Sequence, residues 1–324
     1  MSAEKELSAA VAAAEREQFA ADVRYYLLLE PRQLPSHYLY DDLGSALFEA
    51  ICRLPWYGLT RGEMQLLHAH AREILSADIS TIVELGSGSG EKLSALIAGG
   101  SGAGALDLHL IDISSSAIEE ATLRLGTWPR VLLHAHQTTY EAGLEAFAAS
   151  PRPHGRALVV FLGSNIGNFD PPGREAFLRL VRRAMRPGDR LLLGADLIKP
   201  PRELQLAYDD PLGITAAFNR NLLVRINREL DANFDLGAFA HRAQWNAAAS
   251  RVEMHLLSTR QQRIRIAGAA FEFSMRVGES IWTESSYKFR AEDVAAIVQQ
   301  CGFRVGAQWV DREEGFALTC ADAS

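Results

Sequence analysis

The residues best suited to chemistry form a glycine-rich turn near position 86. Glu84 stands two residues before Gly86, and further glycines follow at 88 and 90. Alternating glycines allow a tight turn in which the backbone approaches a ligand closely. The dinucleotide-binding fingerprint needs a glycine at the sixth place, where this chain has Glu91, so that fingerprint is not met. A glycine-rich connection without any ligand stays open as the simpler interpretation.

A second candidate ligand-binding residue, Asp112, ends the stretch 106–112, which is predicted to be a strand. An acidic residue at the end of the second strand hydrogen-bonds a ribose in nucleotide-binding folds of this kind. With Glu84 and the alternating glycines, the pattern resembles that of Rossmann-like enzymes that bind S-adenosylmethionine. That ligand carries an amino-acid tail and a ribose but no pyrophosphate.

These residues need a parallel sheet to position them. Apolar, β-branched runs predict strands at 81–85, 106–112, 130–134, 157–162 and 190–196, with a helix at 173–185. The loop 163–170 is small and polar and follows a strand expected beside the first one, which is the crevice where open α/β sheets bind ligands. A helix at 291–301 and strands at 304–310 and 315–320 close the chain, and the tight turn between them predicts an antiparallel last strand. We therefore expect an α/β fold of the Rossmann-like class I S-adenosylmethionine-dependent methyltransferase type.

Two regions interrupt this rhythm. The first contains a predicted helix at 4–29, a helix at 46–53 capped by Gly44 and Ser45, and aromatic loops that hold Tyr40 and Tyr57. Thr60 and Glu63 have the spacing of a capping box for the next helix. The second, 200–283, holds helical sequence at 215–231 and two or three strands, among them 251–258 and 262–267. The aromatic loops have an alternative role, which is to pack one domain against another.

Composition excludes several classes of protein. The chain has 324 residues, a formal net charge of −7 and scattered arginines, which does not favour a nucleic-acid surface. No apolar run approaches the roughly 18 to 20 residues of a membrane span. The 3 cysteines have no paired spacing, so we expect neither a disulfide framework nor a zinc site, and a cytoplasmic location.

The histidine pairs are weak candidates for metal binding. His68 and His70 lie in a helical stretch, where residues two apart do not share a face. His134 and His136 could share a strand face, but no third ligand of suitable spacing is apparent. Asp209 and Asp210 are adjacent, and capping of a helix or turn is the commoner use of such a pair. No metal is expected.

Taken together, the chain resembles the histidine-specific Nα-methyltransferases that begin ergothioneine biosynthesis, over residues 25–321. The matching stretches are 34–41, 44–45, 54–55 with Tyr57 and 60–61, 161–164 with 166–168, 207–211, 218–221 and 283–289. The resemblance implies S-adenosylmethionine-dependent Nα-trimethylation of L-histidine to hercynine, with S-adenosylhomocysteine as the other product. It also implies a methyltransferase core at 60–199 and 285–324, and an α+β substrate-binding domain at 1–59 and 200–284 that holds histidine against the core.

The resemblance further implies roles for individual residues. Asn168 and Tyr208 would hold the substrate carboxylate, Tyr40 with the Gly163 region would address the α-amine, and Glu284 and Ser286 would bind the imidazole, with Tyr57 and Met254 lining the pocket. Of these, Tyr40 and Asn168 would be catalytic. The cofactor would be bound by Glu84, Gly86, Ser87, Gly88, Lys92, Asp112, Thr139 and Tyr140. The partner is a small molecule, with no nucleic acid or membrane, and the enzyme is expected to be a monomer.

The chain departs from the family pattern at two places, and two alternative functions stay open. Thr139 stands where the family places an aspartate near the adenine, which leaves Gln137 as another candidate, and Gly58 and Leu59 follow Tyr57 where the family has proline. The first alternative is the same chemistry on tryptophan or tyrosine, which Glu284 disfavours. The second is a non-catalytic S-adenosylmethionine-binding module.

Overall fold

The computed structural model describes residues 3–101, 104–152 and 155–324, and the side chains from residue 13 onward within these ranges. Its α-helices are α1 (Ala3–Leu28), α2 (Asp42–Cys52), α3 (Gly58–Ile74), α4 (Glu91–Gly99), α5 (Ser115–Leu125), α6 (Tyr140–Ala149), α7 (Pro171–Ala184), α8 (Pro201–Tyr208), α9 (Ile214–Leu230) and α10 (Ala291–Gln300). Its strands are β1 (Arg32–Gln33), β2 (Ile79–Leu85), β3 (Leu106–Asp112), β4 (Val131–Gln137), β5 (Arg156–Phe161), β6 (Arg190–Asp196), β7 (Phe239–Asn246), β8 (Arg251–Ser258), β9 (Gln262–Ile266), β10 (Phe271–Met275), β11 (Ser280–Tyr287), β12 (Phe303–Asp311) and β13 (Phe316–Ala323).

The chain divides into two compact units. The core unit comprises Cys52–Leu204, Ala247–Arg251 and Ser286–Ser324. The insertion unit comprises Met1–Ile51, Gln205–Asn246 and Val252–Ser285. Each is described below by itself.

A seven-stranded sheet forms the centre of the core unit. Its strand order is β12-β13-β6-β5-β2-β3-β4. The strands from β6 to β4 are parallel, whereas β13 is antiparallel to both β6 and β12. Because β2 lies between β3 and β5, the loops that follow these three strands meet at one edge of the sheet. The predicted class I methyltransferase fold and its antiparallel last strand are confirmed.

Apolar residues explain why this sheet is buried on both faces. Ile82, Val83 and Leu85 of β2 are 0% exposed, as expected of a central parallel strand covered by helices. Phe147 of α6 and Phe177 of α7 belong to the same buried cluster. Helix α7 begins with a side-chain cap, since Asp170 Oδ1 accepts a hydrogen bond of 2.9 Å from Gly173 N.

The insertion unit combines helices with a four-stranded sheet of order β1-β11-β8-β7 and a separate β9-β10 hairpin. In β8 the residues alternate strictly, with Val252, Met254 and Leu256 buried and their neighbours half-buried. This period of two is the pattern of a strand with one face toward a core.

Several local predictions about these regions were wrong. Residues 200–283 contain strands β7 to β10 and the beginning of β11, rather than two or three strands. Helix α2 begins at Asp42, and Gly44 lies inside it, because Asp41 Oδ1 accepts the hydrogen bond of 2.8 Å from Gly44 N. A Cβ at position 44 would lie 1.7 Å from Leu39 O, so the glycine is required by close packing.

The predicted capping box of Thr60 and Glu63 is also wrong. Helix α3 begins at Gly58 after Tyr57, which donates no side-chain cap. Glu63 therefore lies in the second turn, and its side chain is turned inward, where it is 0% exposed.

Candidate active site

The glycine turn connects β2 to α4, and its backbone requires glycine. Gly86, Gly88 and Gly90 have φ angles of +81°, +48° and +70°, which favour glycine over other residues. A Cβ at Gly86 would lie 2.9 Å from Tyr140 Oη and 3.0 Å from Asn165 Nδ2, whereas a Cβ at Gly88 meets nothing within 4 Å. The turn is thus tightly packed at Gly86 and open at Gly88.

Two buried polar groups at this turn have no hydrogen-bond partner within the described chain. They are Glu84 Oε2 and Ser87 Oγ, and their residues are 2% and 5% exposed. Burial raises the pKa of Glu84 well above its ordinary value; Lys92 opposes this, while Asp112 and Glu63 add to it. Unsatisfied buried groups are uncommon in proteins, and a bound ligand is one way to satisfy them. An ammonium group with its N–H donors, such as that of an amino-acid tail, fits this carboxyl.

Asp112 ends β3 beside the same turn. Its Oδ1 accepts a hydrogen bond of 2.9 Å from Ser114 N, and its Oδ2 accepts one of 3.3 Å from Gly88 N. Burial raises the pKa of Asp112, and these backbone hydrogen bonds lower it in part. The carboxylate therefore braces the glycine turn and retains lone pairs for the hydroxyl groups of a ligand.

Thr139 and Tyr140 begin α6 after the end of β4. Thr139 is the N-cap of this helix, and its Oγ1 accepts a hydrogen bond of 3.4 Å from Ala142 N. The ring of Tyr140 packs edge-on against Phe161 at 5.5 Å, and burial raises the pKa of its hydroxyl. Because Thr139 Oγ1 accepts from the backbone, its hydroxyl hydrogen is left to donate elsewhere.

Glu63 is a site residue that we did not predict. Its Oε1 and Oε2 each lie 2.9 Å from Gly163 N, and Oε2 also lies 2.6 Å from Lys92 Nζ. Burial by itself would lower the pKa of Lys92, but the Glu63 carboxylate raises it above its ordinary value. One buried carboxylate thus positions two predicted site residues, the cofactor-side Lys92 and the substrate-side Gly163.

A sequence signal for Glu63 exists. The buried face of α3 includes Leu59, Leu66 and Leu67, and position 63 lies on this face at helical spacing. A carboxylate on the apolar stripe of a helix is almost never fully buried unless it is paired. The capping-box interpretation did not account for this pattern.

The loop after β5 carries Gly163 and Asn168. Asn168 is the last residue of a 3-10 helix, Asn165–Asn168, and is half-buried. Ser164 precedes this helix with a φ angle of +56°, and its Oγ accepts a hydrogen bond of 2.9 Å from Asp196 N. Asp196, at the end of β6, therefore holds the start of the loop that contains Asn165 and Asn168.

The same aspartate reaches Ser286 through Lys288. Lys288 Nζ lies 2.8 Å from Asp196 Oδ2 and donates a hydrogen bond of 2.8 Å to Ser286 Oγ. Lys199 Nζ lies 2.7 Å from the other carboxylate oxygen, Asp196 Oδ1. Tyr57, also in the core unit, is 6% exposed just before α3, where its N donates a hydrogen bond of 3.1 Å to Leu54 O.

In the insertion unit, aromatic and polar packing surrounds Tyr40 and Tyr208. The ring of Tyr40 packs edge-on against Phe48 and Phe218, both at 5.5 Å. Tyr208 ends α8, and its carbonyl oxygen accepts a hydrogen bond of 2.8 Å from His241 Nε2. Asn219 Nδ2 donates to His241 Nδ1 at 2.9 Å. Burial lowers the pKa of His241, and these partners assign it the neutral form with the proton on Nε2.

Met254 and Glu284 lie on the neighbouring strands β8 and β11. Met254 is 2% exposed, and its carbonyl oxygen accepts a hydrogen bond of 3.0 Å from Thr283 Oγ1. Glu284 is 9% exposed, and its carbonyl oxygen accepts one of 2.8 Å from Trp282 Nε1. The backbone at both positions is therefore held by neighbouring side chains.

Other residues of the matched stretches build the scaffold. Asp210 caps α9, with its Oδ2 accepting a hydrogen bond of 2.7 Å from Thr215 N, so the capping role expected of this carboxylate is confirmed. Asn221 Nδ2 donates to Asp41 Oδ1 at 2.6 Å. These contacts hold α9 and the start of α2 together within the insertion unit.

The histidines of β3 and β4 form a cluster that sequence spacing did not predict. His109 Nδ1 lies 3.2 Å from His136 Nε2, and the His109 ring stacks on that of His134 at 4.7 Å. In the described ranges, no group of three or more histidine, cysteine, aspartate or glutamate residues is arranged to hold a metal ion. None of the helices described is long and apolar enough to cross a membrane.

Comparison with known proteins identifies the relatives of this arrangement. A family model described as histidine-specific, S-adenosylmethionine-dependent methyltransferase matches residues 19–323. Histidine N-alpha-methyltransferase of Mycolicibacterium smegmatis is 42% identical over 309 residues, which are 94% of this chain and 95% of the relative. The protein of the same name from Mycobacterium tuberculosis is 42% identical over 93% of each chain. Ergothioneine biosynthesis protein 1 of Neurospora crassa is 30% identical over 78% of this chain and 31% of its own length.

Proposed function

Since the chain belongs to the family of histidine-specific, S-adenosylmethionine-dependent methyltransferases, we propose that it methylates the α-nitrogen of L-histidine three times to give hercynine, as in ergothioneine biosynthesis. The observation that carries this proposal is the match to histidine methyltransferases along nearly the whole chain. The unpartnered Glu84 and Ser87 at the glycine turn support the donor, because they suit the amino-acid tail of S-adenosylmethionine.

The cofactor supplies an electrophilic methyl group on a sulfonium sulfur. In our proposal Gly86, Ser87 and Gly88 face the amino-acid tail of the cofactor, and Glu84 accepts hydrogen bonds from the ammonium group of that tail. Lys92 lies beside the carboxylate of that tail, where its positive charge is favourable. Asp112 accepts hydrogen bonds from the ribose, and Thr139 and Tyr140 contact the adenine.

For the substrate, we propose that hydrogen-bond donors contact the histidine carboxylate and that a carboxylate and a hydroxyl contact the imidazole ring. Asn168 through its amide N–H and Tyr208 through its hydroxyl donate to the carboxylate of histidine. Glu284 accepts from an imidazole N–H, and Ser286 contacts the other ring nitrogen. Tyr57 and Met254 line the space around the imidazole.

Methyl transfer requires a neutral amine that is aligned with the donor. Tyr40, with the backbone at Gly163, orients the α-amine and Asn168 fixes its neighbouring carboxylate, so that the nitrogen lone pair points at the methyl carbon. Such alignment contributes roughly 7–11 kcal/mol to an enzymatic rate when the reacting atoms are held about 3–3.5 Å apart. The Tyr40 ring, packed between Phe48 and Phe218, also attracts the quaternary ammonium of the product through a cation–π interaction.

We propose that the core unit binds the cofactor and that Tyr40, Tyr208, Met254 and Glu284 of the insertion unit contribute to histidine binding. The enzyme would act as a cytoplasmic monomer, in keeping with 3 cysteines that have no paired spacing. Light scattering of the purified protein tests the monomer.

Mass spectrometry of reaction products tests the function. The purified protein is incubated with S-adenosylmethionine and an equimolar mixture of amino acids, and we expect histidine to gain one, two and three methyl groups. Methylation of tryptophan or tyrosine in place of histidine would show that histidine is not the substrate. Cofactor binding without any methylated product overturns the enzymatic activity and favours a binding module.

A further inference from the structure

Asn165 is a polar residue of the core unit to which the function proposed above gives no role. It begins the 3-10 helix Asn165–Asn168 and is half-buried. The backbone of this segment is held locally, because Asn165 N donates a hydrogen bond of 3.4 Å to Leu162 O and Gly167 N donates one of 2.8 Å to Ser164 O. The side chain of Asn165 therefore extends from a fixed point of the loop after β5.

The carboxamide of Asn165 lies against the glycine turn. From the position that a Cβ would take at Gly86, Asn165 Nδ2 lies 3.0 Å away and Tyr140 Oη lies 2.9 Å away. Two polar groups from different elements, the 3-10 helix and α6, thus approach the same side of Gly86. They lie at the turn that we propose faces the amino-acid tail of the cofactor.

Lys92 lies close to the same carboxamide. From the position that a Cβ would take at Gly163, Lys92 Nζ lies 3.3 Å away, and Asn165 Oδ1 and Nδ2 lie 3.6 and 3.8 Å away. Lys92 through its ammonium, Asn165 through its amide and Tyr140 through its hydroxyl can all donate hydrogen bonds. Donors that three different elements bring together in this way suit an anionic acceptor such as a carboxylate.

The positive charge of Lys92 is shared with a carboxylate of the chain. Glu63 Oε2 lies 2.6 Å from Lys92 Nζ, and the Glu63 side chain is 0% exposed. Opposite charges this close weaken each other's field at a third group. Lys92 therefore attracts the carboxylate of a ligand less strongly than an unpaired lysine would. The amide of Asn165 supplies further donors at this place without adding a charge.

We propose, on the basis of the function proposed above, that Asn165 is a further cofactor-binding residue whose amide N–H donates to the carboxylate of the amino-acid tail of S-adenosylmethionine. The amide has two N–H donors, so one can serve the ligand whatever the other contacts. Glu84 binds the ammonium of the same tail. Side chains three residues apart lie on one face of a 3-10 helix, so Asn165 serves the cofactor beside Asn168, which serves the substrate.

Two ligands that differ only in the tail carboxylate test this proposal. Dissociation constants of S-adenosylhomocysteine and decarboxylated S-adenosylhomocysteine are measured by calorimetry in the absence of histidine. Both ligands have the same adenine, ribose, sulfur and ammonium group. The ratio of their dissociation constants therefore isolates the contacts of the carboxylate.

Asn165→Ala should weaken the binding of S-adenosylhomocysteine by about tenfold or more and that of the decarboxylated ligand by less than about twofold, because only the first loses a hydrogen bond to a charged group. Asp112→Asn, at the proposed ribose site, should weaken both ligands to the same extent. Gln299→Ala removes an exposed carboxamide of α10 and should change neither. Equal effects of Asn165→Ala on the two ligands, or none, overturn the proposal.

A second variant covers the case in which Asn165→Ala does not fold. Asn165→Asp keeps the shape of the side chain but replaces the N–H donors with an acceptor, so it should also weaken S-adenosylhomocysteine more than the decarboxylated ligand. A rise in KM for histidine with unchanged cofactor binding would assign Asn165 to the substrate and overturn the proposal.

Failure of the proposed function gives a different result. Absence of histidine methylation by the unchanged protein would refute that function, and this inference with it. Normal methylation, together with an unchanged ratio of dissociation constants in Asn165→Ala, would refute the role of Asn165 alone.

Discussion

Glu84, Gly86, Ser87 and Gly88 of the core unit lie close together in sequence at the end of β2 and in the turn after it, whereas Tyr40, Tyr208, Met254 and Glu284 of the insertion unit come from separate elements. The turn takes its shape from glycines with positive φ angles. Glu84 Oε2 and Ser87 Oγ beside it have no hydrogen-bond partner in the described part of the chain. The residues of the insertion unit are instead held by other side chains. The residues proposed to bind the cofactor thus depend mainly on a short segment, whereas those proposed to bind the substrate depend on distant side chains, and this difference can be tested.

The largest effect is expected from Glu284. Replacement by alanine should lower kcat/KM for histidine by at least about 10³-fold, because a site that hydrogen-bonds a polar ligand discriminates by about 10⁴ to 10⁵ when a partner is missing. The dissociation constant of S-adenosylhomocysteine should stay within about threefold. Steady-state kinetics and calorimetry measure the two quantities, and Glu279→Ala is the control, an acidic residue one position before β11 that pairs with Arg276. Equal losses in kcat/KM and in cofactor affinity would contradict the assignment of Glu284 to the substrate rather than the cofactor.

Glu63→Ala comes next, because it leaves the half-buried Lys92 charge without its fully buried partner. Breaking a buried ion pair by removing one member costs about 3–5 kcal/mol, and we expect the free energy of unfolding in urea to fall by this amount. Cofactor affinity should fall with it, since Lys92 and Gly163 lose their common anchor. Glu73→Ala on the same helix removes an exposed carboxylate and should change stability by less than about 0.5 kcal/mol. A similar small effect of Glu63→Ala would contradict the role assigned to Glu63.

The glycine turn provides an internal comparison. Gly86→Ala introduces a Cβ 2.9 Å from Tyr140 Oη, whereas Gly88→Ala meets nothing within 4 Å. Both substitutions strain a left-handed residue by about 1 kcal/mol, and only the first also displaces a packed neighbour. We expect cofactor affinity, measured by calorimetry, to fall by more than about tenfold for Gly86→Ala and by a few-fold for Gly88→Ala. The opposite order would show that Gly88, not Gly86, is in close contact with the ligand.

His241 tests the scaffold of the insertion unit. His241→Phe removes the hydrogen bond to Tyr208 O and leaves that carbonyl oxygen without this donor. The loss of one buried hydrogen bond costs about 1–3 kcal/mol, and we expect KM for histidine to rise about tenfold with little change in cofactor affinity. His68→Phe, at an exposed position of α3, is the control. A change in cofactor affinity alone would place His241 outside the substrate scaffold.

The last effect is confined to acid pH and concerns the histidine cluster of the core unit. Burial, with His134, His136 and Arg152, lowers the pKa of His109 from 6.5 to about 4, and Asp107 opposes this shift. The unfolded chain therefore binds a proton before the folded chain does. Stability from this group is complete above pH 6.5 and is lost as the pH falls toward 4.

Urea unfolding at several pH values checks this dependence. His109→Gln should lose stability less steeply between pH 6.5 and 4 than the unchanged protein does. Identical slopes for the unchanged protein and His109→Gln would contradict the assignment.

Sequence patterns predicted several strands of both units well. The strands at 106–112, 190–196 and 251–258 were predicted with the bounds that the structure shows, because continuous apolar runs and strict alternation depend only on neighbouring positions. The antiparallel β13 followed from the tight turn before it. The capping box at Thr60 was wrong because Glu63 contacts the distant Gly163. The start of α2 was wrong because Asp41, itself held by the distant Asn221, accepts the hydrogen bond from Gly44 N.

By itself, the sequence determined the fold class and the glycine turn that we propose binds S-adenosylmethionine, because these depend on spacing along a few consecutive residues. Its resemblance to a family supplied the predicted substrate residues. Only the tertiary structure revealed what positions them: Glu63 on Lys92 and Gly163, His241 on Tyr208, and Lys288 between Asp196 and Ser286. These partners are distant in sequence, and their roles depend on burial, which removes water as a competing partner and gives each hydrogen bond a single direction.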